Sequence, residues 1–162
     1  MTNFAIRLAN YDDLDKILDI YAYARTFMAN TGNPNQWING HPNKELLLSD
    51  IEESQLYVVL NGVELCGVFA LIYGNDPTYN EIDGRWVSDT PYGTIHRLAS
   101  SGKVKGVFDF AIAYCYAKIQ HLRIDTHQDN KIMQHLILKN GFKKCGIIHI
   151  LSGDSRIAYE RV

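Results

Sequence analysis

Apolar residues Leu14, Ile17, Leu18, Tyr21, Ala24, Phe27 and Met28 recur at spacings of three and four. That period places them on one face of a helix. Asn10 stands where an N-cap would, with Asp13 placed to reach back to it, and the helix should end near Gly32. Residues 3–8 alternate weakly and read as a strand before this helix. The segment NTGNPNQWINGHPN is a loop by its Asn, Gly and Pro content, and NKELLLSDIEES after it reads as a second helix. QLYVVL and VELCGVFALIY are two strands; Asn61-Gly62 between them predicts a hairpin through a type I′ turn. Residues 74–92 form a long irregular connection, of the kind that often carries function. GTIHRLA is the next strand, residues 106–120 an almost wholly apolar helix, and HLRIDT a further strand. DNKIMQHLILKN forms the last helix, stopped by Gly141, and FKKCGIIHIL and RIAYERV close as a hairpin across SGDS.

Hairpins mixed with strand-helix-strand units predict an α+β, mixed-sheet fold with helices on both faces, and 162 residues suit a single domain. A net charge of −2 argues against nucleic acid or an anionic membrane as a bulk partner. No apolar run approaches the roughly 18 residues that span a bilayer. The opening MTNFAIRLANYDD lacks a basic flank and an apolar signal core. Cys66, Cys115 and Cys145 are odd in number and unclustered, as reduced thiols are. A cytoplasmic protein is the expectation.

Candidate chemistry centres on SSGKVKGVFDFAIAYC, residues 100–115, where a strand turns into the apolar helix. The first N–H groups of a helix are unpaired and the helix dipole adds positive charge there. A turn presenting further amides makes such a terminus a site for phosphate. Gly106 removes the Cβ that would hinder approach to the backbone, and Lys103 and Lys105 add charge to the rim. Neither G-x-x-x-x-G-K-(S/T) nor G-x-G-x-x-G occurs here. A plain turn whose glycines only relieve backbone strain would show the same residues.

The second half of the chain resembles the GNAT superfamily of acyl-CoA-dependent N-acyltransferases. In that family a strand leads into a loop written (Q/R)-x-x-G-x-(G/A), which appears here as Lys103-Val104-Lys105-Gly106-Val107-Phe108. A later N-x-x-A-x-x-x-Y-x-x-x-G-F pattern is met at Asn130, Gly141 and Phe142, while Met133 and Ile137 depart from it. The resemblance implies a three-layer fold with a mostly antiparallel sheet of about seven strands. It implies acetyl-CoA as co-substrate, with the pyrophosphate on the amides of Lys103, Val104, Lys105, Gly106, Val107 and Phe108. Leu98 and Ala99 would hold the pantetheine arm and Asn130 the thiol end. The implied reaction is direct acetyl transfer to a primary amine of a small molecule or peptide in a ternary complex, with no metal. A homodimer through the C-terminal strands is implied by analogy. Two departures carry consequences. Phe108 puts a ring where the family keeps room, either turned into the core or narrowing the site. Ile137 replaces the tyrosine that would protonate the departing thiolate, which leaves an inactive acyl-CoA-binding module as the alternative.

Transfer to an amine needs the neutral amine, which at a pKa of about 10.4 is about one molecule in a few thousand at pH 7. It also needs N–H donors for the oxyanion. His96 is the candidate base: it lies two residues before Leu98, so regular alternation would put both on one side of the strand. A core histidine bonded to a neighbour is the competing reading, and Tyr92 is a second candidate on the same strand. Trp37 and Trp86 sit on loops where either could cover an acceptor, with Trp37 assigned to the substrate; buried packing is the other fate of a tryptophan. Asp76, Glu81, Asp83 and Asp89 against Arg85 make the 74–92 connection acidic, which would favour a cationic amine if it borders the cleft. His121, His127 and His135 lack metal-ligand spacing.

Overall fold

The computed structural model describes residues 2–162. Strand β1 (Phe4–Leu8) leads through a single 3-10 turn into helix α1 (Leu14–Asn30), and α2 (Lys44–Glu52) follows. The capping box is present: the Asn10 side chain accepts from the turn's backbone and its own N–H donates to Asp13, 2.9 Å away. Strands β2 (Leu56–Asn61) and β3 (Glu64–Tyr73) form the expected hairpin. Its turn falls one residue later than the sequence suggests. Asn61 already pairs with Glu64, and only Gly62, at φ 63°, takes the left-handed region. A positive φ confined to the first loop residue belongs to a type II′ turn rather than I′. Asn61 is held in the strand because its side chain accepts from the Asn3 amide at 2.8 Å.

The connection over residues 74–92 contributes a two-residue strand, β4 (Asp83–Gly84), before β5 (Gly93–Ser100). Helix α3 (Val107–Lys118), β6 (Leu122–Thr126), α4 (Lys131–Lys139), β7 (Lys143–His149) and β8 (Ser155–Arg161) complete the chain. The eight strands run in the order β1-β2-β3-β5-β6-β8-β7-β4, with every neighbour antiparallel except β5 and β6. The strand beyond the expected seven is β4, too short to leave a periodic signal.

Alternation along the strands sorts the core into two layers. On one face Ile17, Ile20, Tyr21, Leu47 and Ile51 of α1 and α2 pack on Val58, Val68, Ala70 and Ala99. On the other, α3 and Ile137 of α4 pack on Val59, Phe69, Leu71 and Leu122. Phe108 is 7% exposed and turns into this second layer, so its ring does not narrow the turn before it. Ile137 is fully buried there as well. No described helix is long and apolar enough to cross a membrane.

A buried polar cluster fastens the 74–92 connection to the sheet. Glu160 of β8 and Arg123 of β6 are cross-strand partners, and the Arg123 Nε donates to Glu160 at 2.9 Å. His121 bonds the same carboxylate oxygen, and Val87 N–H donates to the other at 2.6 Å. The Arg123 guanidinium is sandwiched between the rings of Trp86 and Tyr92, about 4 Å from each. Burial alone would raise the Glu160 pKa; hydrogen bonds from His121, Arg123 and the Val87 amide outweigh it and hold the carboxyl below its usual range. Stability from this depressed pKa is therefore complete at neutral pH and is lost as acid takes the carboxyl through its folded-state pKa. Glu160→Gln leaves Arg123 buried without its counter-ion. In urea denaturation at neutral pH it should cost about 3–5 kcal/mol, and the difference from the parent should shrink as the pH is lowered.

Candidate active site at the divergence of β5 and β6

Strands β5 and β6 pair only at Gly93 with Leu122 and Thr94 with Arg123, and then part. A β-bulge lies just beyond. Ala70 of β3 faces His96 and Val68 faces Ala99, so β5 spends one residue more than its partner. The extra residue turns at Arg97, whose φ of 56° is unusual for a side chain other than glycine. Its carbonyl accepts from the Tyr21 hydroxyl at 2.7 Å, and its guanidinium makes two bonds, 2.7 and 3.1 Å, to the buried Asp50 carboxylate. The bulge also breaks the alternation expected from sequence. Leu98 packs with Ile95 on the α3 side, whereas His96 lies opposite Ala70 on the α1 side. His96 and Leu98 thus do not share a side of the strand, although both border the same opening.

That opening is a cleft of about 620 Å³. Trp37 and Gln36 from the loop after α1, His96 and Leu98 from β5, Asp125 from β6 and Asn130 from α4 lie along it. Trp37 meets Tyr21 edge-on with ring centroids 5.6 Å apart, which fixes the indole at the rim. His96 Nε2 is 3.0 Å from Asp76 Oδ2, and the imidazole side chain is 24% exposed. Asp76 also caps the turn at Pro77–Tyr79 through Thr78, and its amide donates to the Tyr92 hydroxyl at 2.8 Å. Burial would raise the Asp76 pKa, but the bonds from His96 and Thr78 prevail and bring it to about 2. Tyr92 therefore positions this pair from behind, stacked on Arg123, and Trp86 is spent on the same cation with its Nε1–H on the Tyr79 carbonyl. Of the acidic residues in the 74–92 connection, only Asp76 lines the cleft.

Asn130 is buried, and both ends of its amide are engaged. Its oxygen caps α4 at Met133 N–H (3.0 Å), and its nitrogen donates to Gln36 Oε1 at 2.9 Å. One N–H remains for any ligand. Gln36 Oε1 also accepts from Asn33 and from Thr126, tying the loop after α1 to β6 and α4. The sequence gives no sign of this hub, nor of Arg156, which reaches the cleft from β8.

At the other end of β5 lies the glycine-rich turn. Ser100 and Ser101 hydroxyls accept the amides of Gly102 and Lys103. From Val104 to Asp109 no backbone N–H donates to any group among the described residues; the helix ladder starts with Phe110 N–H on the Gly106 carbonyl at 3.0 Å. Gly106 N-caps α3 at φ 90°, a conformation only glycine adopts without strain. At Gly102, φ 76°, the backbone conformation favours glycine, and a Cβ there would press on the ring end of the exposed Tyr23. The Lys103 ammonium pairs with Glu64 at 3.1 Å in the open, while Lys105 has no such partner. Residues 103–108 do not line the cleft; Leu98 and Ala99 bridge the two, with the Ala99 side chain buried towards α1.

The remaining candidate groups are otherwise employed. Burial pushes the Cys115 thiol up to about 12 and raises Cys66 as well, so neither is a ready nucleophile. His121 serves Glu160, and His127 caps the Asp129 amide at 3.0 Å.

The sequence matches no family model and no curated protein. The fold is similar to several solved structures. A GNAT-family acetyltransferase from Streptococcus agalactiae 2603 is 31% identical with a TM-score of 0.86, over 98% of this chain and 95% of that one. A candidate acetyltransferase from Staphylococcus aureus Mu50 is 27% identical with a TM-score of 0.69, over 96% and 97% of the two chains. A Salmonella typhimurium protein solved with its cofactor acetyl-CoA is 15% identical with a TM-score of 0.62, over 97% and 92%.

The depressed Asp76 pKa has a measurable sign. The carboxylate should titrate at about 2 by carbon-13 NMR, and the stability it confers should be intact above about pH 4 and fall away only as the pH drops towards that midpoint. A midpoint near 4 would show that the His96 bond is not formed.

Proposed function

Because the chain belongs to the GNAT family of acetyltransferases, we propose that it carries an acetyl group from acetyl-CoA to a primary amine held in the cleft, by direct attack in a ternary complex. The acceptor is a small molecule or a peptide. The observation that carries this reading is the run of undonated amides from Val104 to Asp109, at the end of a strand, β5, that also borders the cleft. A buried, fully paired turn would have no use for a diphosphate; this turn has donors to spare, a helix dipole behind them and Lys105 beside them.

In this reading the amides of residues 104–108 hold the pyrophosphate; the Lys103 amide, expected among them, is taken by the Ser101 hydroxyl, and Lys103 contributes only its charge at the rim. Beyond Thr94 the β6-facing edge of β5 has no partner strand, so backbone groups at Leu98 and Ala99 are open to the amides of a pantetheine arm. Asn130 frames the thiol end with its remaining N–H. Acetyl-CoA supplies the acyl group as a thioester. His96 accepts the proton of the attacking amine, directly or through water, and Asp76 orients the imidazole and stabilises its charged form. Trp37 closes over the acceptor. Ile137, locked in the core, offers no acid to the thiolate, but a thiol pKa of roughly 8–9 makes that group a tolerable leaving group near neutrality. The same Ile137, with a base known only by its position, favours a module that binds acyl-CoA without turnover. Release of free thiol with some member of an amine panel separates the two readings.

Gly106→Glu places a carboxylate among the phosphate donors. It should abolish calorimetric binding of acetyl-CoA while the circular dichroism of the fold is retained, and parental affinity in this variant would refute the nest. His96→Ala should lower kcat by about 10²–10⁴-fold with KM for acetyl-CoA little changed.

A further inference from the structure

At the end of the cleft formed by β8 and the loop after α1 stands an arginine without a counter-ion. Arg156 is 5% exposed, yet it joins none of the ion pairs among the described residues. Its guanidinium donates to two main-chain carbonyls, of Ser155 at 2.9 Å and Gln36 at 3.2 Å. Three of its five N–H donors are left without a partner. A guanidinium stays charged at any physiological pH, and a charge taken this far out of water needs an anion or its equivalent in hydrogen bonds.

A second donor lies beside it. Gln36 Oε1 accepts from Asn33, Thr126 and Asn130, and the Asn130 nitrogen is a donor beyond doubt because its oxygen caps α4. The orientation of the Gln36 amide is therefore fixed, and its Nε2 donates to no group among the described residues, in a side chain that lines the cleft. Nearby at the rim is His41, whose imidazole pKa is pushed down by burial first and then by the charges of Arg97, Arg156 and Arg25. Burial lowers the Arg156 pKa; the charges of Asp125 and Asp154 oppose it without prevailing, and neither carboxylate pairs with the guanidinium.

We propose that Arg156 and the Nε2 of Gln36 form a subsite for a single carboxylate on the acceptor, so that the amine acetylated in this cleft is that of an amino acid or a similar amino-carboxylic acid. The proposal rests on the transferase reading for the word acceptor, but the anion subsite stands on its own donors. A planar carboxylate matches the guanidinium fork with two parallel bonds, and the neighbouring amide donates a third. The acidic residues of the 74–92 connection pointed instead to a cationic acceptor; only Asp76 among them reaches the cleft, and it is bound to His96. A peptide held by an internal amine would bring no carboxylate to these donors.

The test uses ligands that carry the carboxylate and no amine. N-acetyl derivatives of the twenty amino acids and their C-terminal amides are titrated into the full chain by calorimetry, with and without coenzyme A. At least one acid should bind tenfold or more tightly than its own amide. Arg156→Gln should erase that preference and Arg156→Lys should keep part of it. Gln36→Glu retains the oxygen that accepts from Asn33, Asn130 and Thr126 and puts a negative charge where the free donor stands. It should likewise lose the acid by tenfold or more, and it decides the matter if Arg156→Gln does not fold. Equal binding of acids and amides, tighter binding of the amides, or no binding of either form at millimolar concentration overturns the subsite. Failure of the parent chain to bind acetyl-CoA would sink the transferase reading instead, and the ratio of acid to amide still decides whether Arg156 holds a carboxylate.

Discussion

The guanidinium of Arg97 and the carboxylate of Asp50 hold β5 in a shape that a plain strand would not keep. A left-handed conformation at a residue with a side chain costs about 1–2 kcal/mol. Against this stand two charge-assisted bonds to a carboxylate that is 2% exposed, and the Tyr21 hydroxyl on the Arg97 carbonyl. Each charge-assisted bond contributes about 1.5–3 kcal/mol net, so the lock outweighs the strain. The partners come from α1 and α2, and this is why the helical layer on that face matters to the site. Remove the lock and β5 has no reason to carry its extra residue; the side chains beyond it would then turn to the opposite faces.

From this one irregularity the rest follows in order. The bulge ends regular alternation between His96 and Leu98, and just before it β5 parts from β6. His96 is delivered to Asp76, which is itself fixed by Tyr92 and so by the Glu160–Arg123 cluster. At the far end the same strand runs out into the turn whose amides are free. One strand therefore presents, along its length, an imidazole at the cleft, an unpaired backbone edge and a turn of undonated amides.

Much of this was legible in the residue order. The three- and four-residue spacing on α1, the capping box at Asn10 and the glycine-rich turn before α3 are local signals, and each is where the sequence places it. The departure at Phe108 also resolves locally, since a ring one residue into an apolar helix goes with the helix's buried face. Nothing in Ile95-His96-Arg97-Leu98-Ala99 marks a bulge, because the residues that compel it, Tyr21 and Asp50, are far away in the chain. The same holds for Asp76, which reads as an ordinary turn residue until His96 is set beside it. Gln36 and Arg156 are separated by 120 positions and meet only because β8 lies next to β6. Local propensity is written in neighbours; a site assembled from strands, loops and a helix cap is written in the topology.

The arrangement of the sheet has a further consequence. Apart from the brief β4, the strands to one side of the β5–β6 junction come from the first part of the chain and those on the other side from the last. Each group is closed by its own antiparallel ladder, and the two are stitched at only a pair of adjacent positions. The gap between them can thus be broadened or tightened without cutting a ladder in either half. Selection is free to refit the molecule to bulkier or slimmer acceptors by adjusting the stitch, while the machinery on β5 is inherited unchanged.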